Sequence, residues 1–278
     1  MDYPVLNAHL ETLMKVDFEK IATLERVNYL TMEPVAKVTP GLEVILRPDM
    51  ILTSSSTYPS PDANHACLLR TDPQKVDGLI DEVIAYFTVR EMPPVVLVSP
   101  ACLPPDLAQH LLTRGFQRQE PDETWMVLEN LQDRKVPKIE SNVEVRKIGR
   151  SEAPLFAEVM VACYDMPAEW VAMLTDLISP SIGAPGITHF LAFMSEKPIA
   201  TLTLMRYQDY VTIGSAGVLP DQRGGRTIFN MSVEALDEAK RQGVETVLLQ
   251  TSLGPIFERF LRICGFTLAF KRSTYLRS

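Results

Sequence analysis

The chain has 278 residues, 46 % hydrophobic and 22 % charged, which supplies a core for one large domain or two of ordinary size. Its 27 basic and 35 acidic residues leave a net charge of -8, which excludes a general nucleic-acid binder but not a local positive pocket for an anionic small molecule. Cys67, Cys102, Cys163 and Cys264 form no CxxC pair and do not pair with the four histidines at ligand spacing, so no metal site and reduced thiols are expected.

The opening stretch, MDYPVLNAHLETLMKVDFEK, carries acids among its apolar residues and lacks a basic segment followed by an apolar one, so it does not read as a signal peptide. No apolar run reaches about 18 residues, so no membrane span is expected and a cytoplasmic protein is the natural expectation. Leu79, Ile80, Val83, Ile84 and Phe87 then share one helix face ahead of a strand in PPVVLVSP. A helix in PPDLAQHLLTRGF and a strand in ETWMVLEN follow. The polar stretch from Asn130 to Val145 reads as a linker.

Beyond it, VEVRKIG predicts a strand, SEAPLFAEVMVACYD a helix capped by Ser151, and AEWVAMLTDLI a second helix. THFLAFMSE, KPIATLTLMRY and YVTIGSAGV predict three strands joined by turns at Glu196-Lys197 and Gln208-Asp209. The helix FNMSVEALDEAKRQG, the strand VETVLLQTS, the helix GPIFERFLRICGF and the strand TLAFKRSTYLRS complete the chain. Both halves therefore run helix, apolar strand, Pro-containing loop, helix, Gly-Phe, strand. Gly115-Phe116 and Gly265-Phe266 fall where a helix end favours a left-handed residue. A duplication explains this, with units at 1–130 and 143–278 and a linker at 131–142. The expected class is α/β (α+β), with two mixed-sheet units in tandem and helices on both faces.

The most informative stretch is SAGVLPDQRGGRTIFNMSVEALDEA, where a strand turns through a basic, glycine-rich corner into a helix. The first N–H groups of a helix lack internal partners and carry partial positive charge. Glycine lets an anion approach the main chain, and arginine adds a bidentate fork. QRGGRT is thus a candidate diphosphate cradle, the alternative being a surface turn with solvated arginines.

The element order, the VLPDQRGG turn and the closing FLRICGF resemble the Gcn5-related N-acetyltransferase (GNAT) superfamily, most closely from Val143 onward. The first half resembles a degenerate copy, so the whole chain looks like a tandem, GNAT-like protein. The resemblance implies acetyl-CoA as cosubstrate, with a Q/R-x-x-G-x-G/A loop holding its diphosphate. In one register Gln222 leads the pattern, Gly225 fills the first glycine and Thr227 replaces the last small residue. In the other, Arg223 leads and Arg226 and Ile228 occupy the small positions. Gln222, Arg223, Gly224, Gly225, Arg226 and Thr227 are accordingly the cofactor-binding candidates. Replacing Arg223 is expected to leave folding nearly untouched. The resemblance adds main-chain contacts at Ala216, Gly217 and Val218, and Ser252 in the loop beyond the next strand.

Acetyl transfer to an amine needs a deprotonated amine, a polarised carbonyl and a protonated leaving thiolate. The family's usual tyrosine acid falls at Leu261, beside Phe260, and neither can donate a proton. The nearest candidates are Asp209 and Tyr164, the latter paired with Asp165, with Tyr207, Tyr210 and His189 behind them. Asp209 also reads as a turn residue and His189 as a satisfied sheet histidine. Tyr164 and Trp170 could equally be core or the lining of an acceptor pocket. In the first half, LLRTDPQKVDGL stands where a cradle would be, lacks the glycine pair and places Asp72 against any phosphate.

Three readings stay open at this level. The first is an acetyl-CoA-dependent N-acetyltransferase acting on a small amine or amino-acid-like acceptor bound between the halves, with no nucleic-acid or membrane partner and room for a homodimer. The second is an inactive module that binds acyl-CoA or a partner. The third is a duplicated scaffold without a ligand.

Overall fold

A computed structural model describes residues 17–136, 141–223 and 225–278, and only the backbone of Gly225 and Arg226. Most of the stretch tested for a leader, and Gly224 of the cradle, lie outside the described residues. Helix α1 (Phe18–Val38) leads into strands β1 (Leu42–Leu46), β2 (Ile51–Ser55) and β3 (His65–Cys67). Helix α2 (Val76–Thr88), β4 (Val95–Val98), α3 (Leu107–Thr113) and β5 (Gln117–Leu128) complete the first run. The second run is β6 (Val143–Lys147), α4 (Ala153–Cys163), α5 (Trp170–Ile178), β7 (Ile187–Met194), β8 (Lys197–Tyr207) and β9 (Tyr210–Val218). It ends with α6 (Gly225–Arg241), β10 (Thr246–Thr251), α7 (Pro255–Ile263) and β11 (Thr267–Leu276). None of the described helices is long and apolar enough to cross a membrane.

The repeat read from the sequence is present in three dimensions. β3 and β4 run parallel across α2, as β9 and β10 do across α6. Gly115 and Gly265 close α3 and α7 with φ of 84° and 93°, a left-handed conformation that side chains strain to adopt.

Among the described residues, the strands join one 11-stranded sheet in the order β1-β2-β3-β4-β11-β5-β10-β9-β8-β7-β6. The final strands are exchanged: β11, from the second run, pairs antiparallel with β4, and β5, from the first, pairs antiparallel with β10. β5 and β11 also pair with each other, which makes the sheet continuous.

Side-chain alternation divides the core. Trp125 and Val127 pack with Ile21, Leu24 and Val27 of α1, whereas Met126 and Leu128 face Met231 and Leu236 of α6. Phe190 and Ala192 join the α6 side, and Leu191 and Phe193 the side of α4 and α5. Helices therefore cover both faces of a strand system whose residues point alternately up and down.

Three local expectations are corrected. Ser151 does not cap α4: a short 3-10 turn precedes the helix, and the Glu152 carboxylate accepts the Gly149 N–H at 3.0 Å. The turn between β7 and β8 is made by Ser195 and Glu196, both at positive φ, and Lys197 already lies in the strand. The segment after Asn130 starts as a docked 3-10 turn, with Leu131 fully buried and Gln132 donating to the carbonyls of Lys240 and Val244.

A polar cluster lies under α1. The Arg272 Nη1 donates to Tyr29 Oη at 2.9 Å, Tyr29 Oη lies 2.6 Å from His65 Nε2, and His65 Nδ1 lies 2.8 Å from the Pro61 carbonyl. Pro61 can only accept, so His65 is protonated on Nδ1 and neutral. Burial, then the Arg272 charge, lowers the His65 pKa to about 3. His189, on β7, is held the same way between Ser181 and Thr203, at 2.8 and 2.9 Å, and burial lowers its pKa to about 4. It is the satisfied sheet histidine that the sequence suggested. An unfolded chain takes up these protons below pH of about 6.5, so the two histidines contribute stability that declines by a few kcal/mol as pH falls toward 4. The imidazole proton resonances of both should stay at neutral positions down to pH 5. A titration near 6.5 at either would show that the ring is not held as described.

Candidate active site

β9 and β10 are paired from Tyr210 opposite Thr246 to Ile213 opposite Leu249, and there the pairing stops. Both strands continue. β9 runs along β8 as far as Val218 opposite Ala200, and β10 along β5 as far as Thr251 opposite Thr124. A cleft therefore opens between Gly214–Val218 and the end of β10. A bulge causes the divergence: the β8–β9 register shifts between Thr201 and Thr203, Ser215 has φ of 47°, and Thr201 Oγ1 donates to the Ser215 carbonyl at 2.7 Å. An extra residue in one strand bends it away from its far neighbour. The main-chain groups on the open edge of β9 are left without a ladder partner, and such groups require one.

The end of α4 forms a wall of the cleft. A Cβ placed on Gly217 would sit 2.7 Å from Cys163 Cβ and 3.1 Å from Tyr164 Cε2. Glycine is thus required at 217 for the tyrosine ring to lie on the strand. The Tyr164 side is partly open to water, at 44 % exposure, and its hydroxyl makes no hydrogen bond among the described residues. Surrounding protein, then the charges of Cys163, Asp62 and Tyr58, raise its pKa well above the usual phenol value. Tyr164 is therefore a protonated donor at neutral pH.

After Val218, a 3-10 turn over Pro220–Gln222 leads to α6, whose first residue is Gly225. Arg223 does not point freely outward. Its Nη2 donates to the Cys163 carbonyl at 2.8 Å and its Nε to the Val218 carbonyl at 3.3 Å. It ties the end of α4 to the end of β9 and so fixes Tyr164 against Gly217. The expectation that replacing Arg223 leaves folding nearly untouched did not include these two bonds.

In the first half the equivalent place is closed. The Leu103 N–H donates to the Leu69 carbonyl at 2.8 Å, and the Thr71 N–H to the Leu103 carbonyl at 3.2 Å. The loop after β4 is thereby fastened to the loop after β3, and Leu69 is fully buried. Of the two repeats, the second holds the cleft.

The fold as a whole has counterparts among solved structures. A GCN5-related N-acetyltransferase from Kribbella flavida superposes with a TM-score of 0.65 at 14 % identity, over 91 % of this chain and 94 % of that one. A tandem GNAT protein from the clavulanic acid biosynthesis pathway gives 0.61 at 14 % identity, over 89 % and 86 %. A GCN5-related N-acetyltransferase from Sphaerobacter thermophilus gives 0.54 at 15 % identity, over 84 % and 81 %. The fold is that of the tandem GNAT proteins. No family model matches the sequence, and no curated protein matches it.

Within this GNAT fold the sequence-derived candidates are distributed unevenly. Ala216, Gly217 and Val218 border the cleft, and Gln222 and Arg223 stand at its end, with Thr227 buried in the first turn of α6. Ser252 is exposed just past β10, on the opposite lip. Asp209 is not brought to Tyr164. It occupies the β8–β9 turn at the far end of β9, where its carbonyl accepts the N–H groups of Glu245 and Thr246 at 2.8 and 3.1 Å. Tyr210–Ile213 separate that turn from the start of the cleft, and Gly217, where Tyr164 lies, is about 26 Å further along the extended strand than Asp209. Tyr207 and Tyr210 share that end. Leu261 is a core residue at 2 % exposure, and Phe260 stacks on Phe257.

Residues that the sequence reading did not reach also face this region. The loop between β2 and β3 carries Tyr58, which meets Trp170 of α5 edge-on at 5.7 Å, and Asp62, whose charge acts on Tyr164. TYPSPDA has only the composition of a loop, so no sequence signal marks it.

Proposed function

We propose that the chain is an acyl-CoA-dependent N-acyltransferase, with acetyl-CoA as donor and a small amine as acceptor. The parting of β9 from β10 beyond Ile213 and Leu249 carries this reading, because it frees a strand edge beside a helix start. The N–H groups of Ala216, Gly217 and Val218 would bind the pantetheine arm and polarise the thioester carbonyl. The opening turn of α6, from Gln222 to Thr227, would hold the diphosphate, and Ser252 would flank it. Tyr164, whose ring lies against Gly217, would be the proton donor to the departing thiolate, although burial makes its phenol a weaker acid than usual.

Calorimetric titration with acetyl-CoA tests the binding step, and thiol release across a panel of amines tests transfer. A ligand at 100 times its Kd stabilises the folded state by about 2.7 kcal/mol, so a thermal shift should accompany binding. No heat and no shift at millimolar acetyl-CoA would remove the proposal. Arg223→Glu should weaken acetyl-CoA binding tenfold or more, through reversed charge beside the diphosphate. It should also lower stability by about 1 kcal/mol, through the two carbonyls released. Unfolding in urea and titration of the variant read the two effects separately.

A second reading, binding without turnover, is favoured by one observation. Leu261 stands in the core where the family places its tyrosine acid. Acetyl-CoA binding without thiol release from any amine would select it.

A further inference from the structure

Helix α7 begins just past the end of β10, at the lip of the cleft, and Phe260 meets Phe229 of the opening turns of α6 edge-on at 6.3 Å. Its inner side, Phe257, Phe260 and Leu261, packs on the core under α6. Its outer side carries Ile256 and Ile263, 89 % and 77 % exposed, with Arg259 and Arg262 between them. Leu253, just ahead of the helix, is 72 % exposed. Neither guanidinium has an ion pair or hydrogen bond among the described residues. Apolar groups this exposed, interleaved with uncompensated arginines, mark an interaction surface.

The first repeat supplies an internal control. Aligned on Gly115-Phe116 and Gly265-Phe266, the outer residues Ile256, Arg259, Arg262 and Ile263 correspond to Asp106, Gln109, Leu112 and Thr113 at α3. There the charges are spent locally: Arg114 is paired with Asp81, and His110 Nδ1 lies 3.2 Å from Asp77. Leu253 corresponds to Leu103, whose N–H and carbonyl seal the first seam. Leu253 instead gives its N–H to Thr251 Oγ1 at 3.1 Å and turns its side chain to solvent. Of the two repeats, the one with the open cleft carries the cationic, apolar face, which ties that face to whatever enters the cleft. On a chain of net charge -8, two unpaired guanidiniums at this spot select an acidic partner.

We infer that α7 docks an acidic protein that carries its acyl group as a thioester on a phosphopantetheine arm. Leu253 and Ile256 are the apolar anchors, and Arg259 and Arg262 meet the carboxylates of the carrier. The inference rests on the reading of the cleft as a pantetheine site and names a donor for it. Arg223 already gives two N–H groups to protein carbonyls, so contacts on α7 add grip that the diphosphate corner lacks. The step is acyl transfer: the amine nitrogen gains the acyl carbon as the C–S bond breaks. The thiolate takes a proton from that nitrogen, and the carrier leaves with a free thiol on its arm.

The test sets the acetylated acyl carrier protein of fatty-acid synthesis beside acetyl-CoA, with the full chain. Calorimetry at low salt should show the carrier binding, and added salt should weaken it. Arg259→Glu combined with Arg262→Glu should weaken the carrier about tenfold or more, and Ile256→Ser about threefold or more. The acetyl-CoA Kd should change by less than about threefold in both variants, which shows that fold and cleft are intact. In thiol release across a panel of amines, kcat/KM should fall for the carrier and hold for acetyl-CoA. If the carrier does not bind, or if the variants bind it like the parent, the inference is overturned, while acetyl-CoA binding and turnover still decide the transferase reading. If the variants keep the carrier but lose sedimentation with phosphatidylglycerol vesicles, the face belongs to a lipid surface and the inference is likewise overturned.

Discussion

Replacing Arg272 by Met is expected to destabilise the protein by about 3–5 kcal/mol, the cost of breaking a buried ion pair from one side. Arg272 is 3 % exposed and Glu25 not at all. The guanidinium donates to Glu25 at 3.3 Å, to Tyr29 at 2.9 Å and to Glu123 at 2.6 Å, and lies 5.0 Å from the Trp125 ring centre. The other Glu25 oxygen accepts the Ser99 hydroxyl at 2.6 Å. Burial already raises the Glu25 pKa, and Arg272 is the main influence holding it down. Without Arg272 it rises further. A carboxyl with a raised folded-state pKa stabilises below its unfolded value, and that contribution is lost as pH climbs through the folded one. The variant should therefore be worse at pH 8 than at pH 5 in urea unfolding. Glu25→Gln in the same chain should recover much of the loss. A deficit below 1 kcal/mol, or one independent of pH, would show that the network does not hold the sheet.

Gly217→Ala is expected to lower kcat/KM for amine acetylation about 100-fold, the effect of displacing a reacting group by about 1 Å. The new Cβ would lie 2.7 Å from Cys163 Cβ, which cannot rotate away because the backbone at the end of α4 sets its position. The helix end must shift and carry Tyr164 with it. Strain in a well-packed site of this kind costs about 1–3 kcal/mol of stability. Steady-state thiol release, with urea unfolding of the same preparation, separates the two. Full activity in the variant would show that the ring is not needed at that spot.

The second half was largely legible in the sequence. Period-two strands such as ITHFLAFM and the apolar face of α6 are strong local signals, and the Gly-Phe pairs exposed the duplication. Helix α1 and strands β1 to β3 were not read: α1 buries polar Glu25, Asn28 and Thr31 beside its apolar residues, which blurs its period, and β3 spans three residues. The exchange of β5 and β11 was invisible, because each strand carries the same alternation whichever neighbour it joins. At the site, the sequence offered the QRGG corner and Tyr164 as candidates, and the structure places Tyr164 against Gly217 and Arg223 at the end of β9. Asp209 was misplaced because a turn residue and a catalytic carboxylate look alike in one dimension. The role of Arg223 in tying two carbonyls depended on contacts across 60 residues, beyond any local pattern.

Because each repeat lends its last strand to the other, the two are linked as hooks rather than laid side by side. A backbone cut between Val136 and Ser141 would leave fragments that still clasp one another, each seated between strands it did not encode. The cleft of one repeat and the sealed seam of its twin must then open or fail together, so damage to the quiet half would reach the working one through shared backbone.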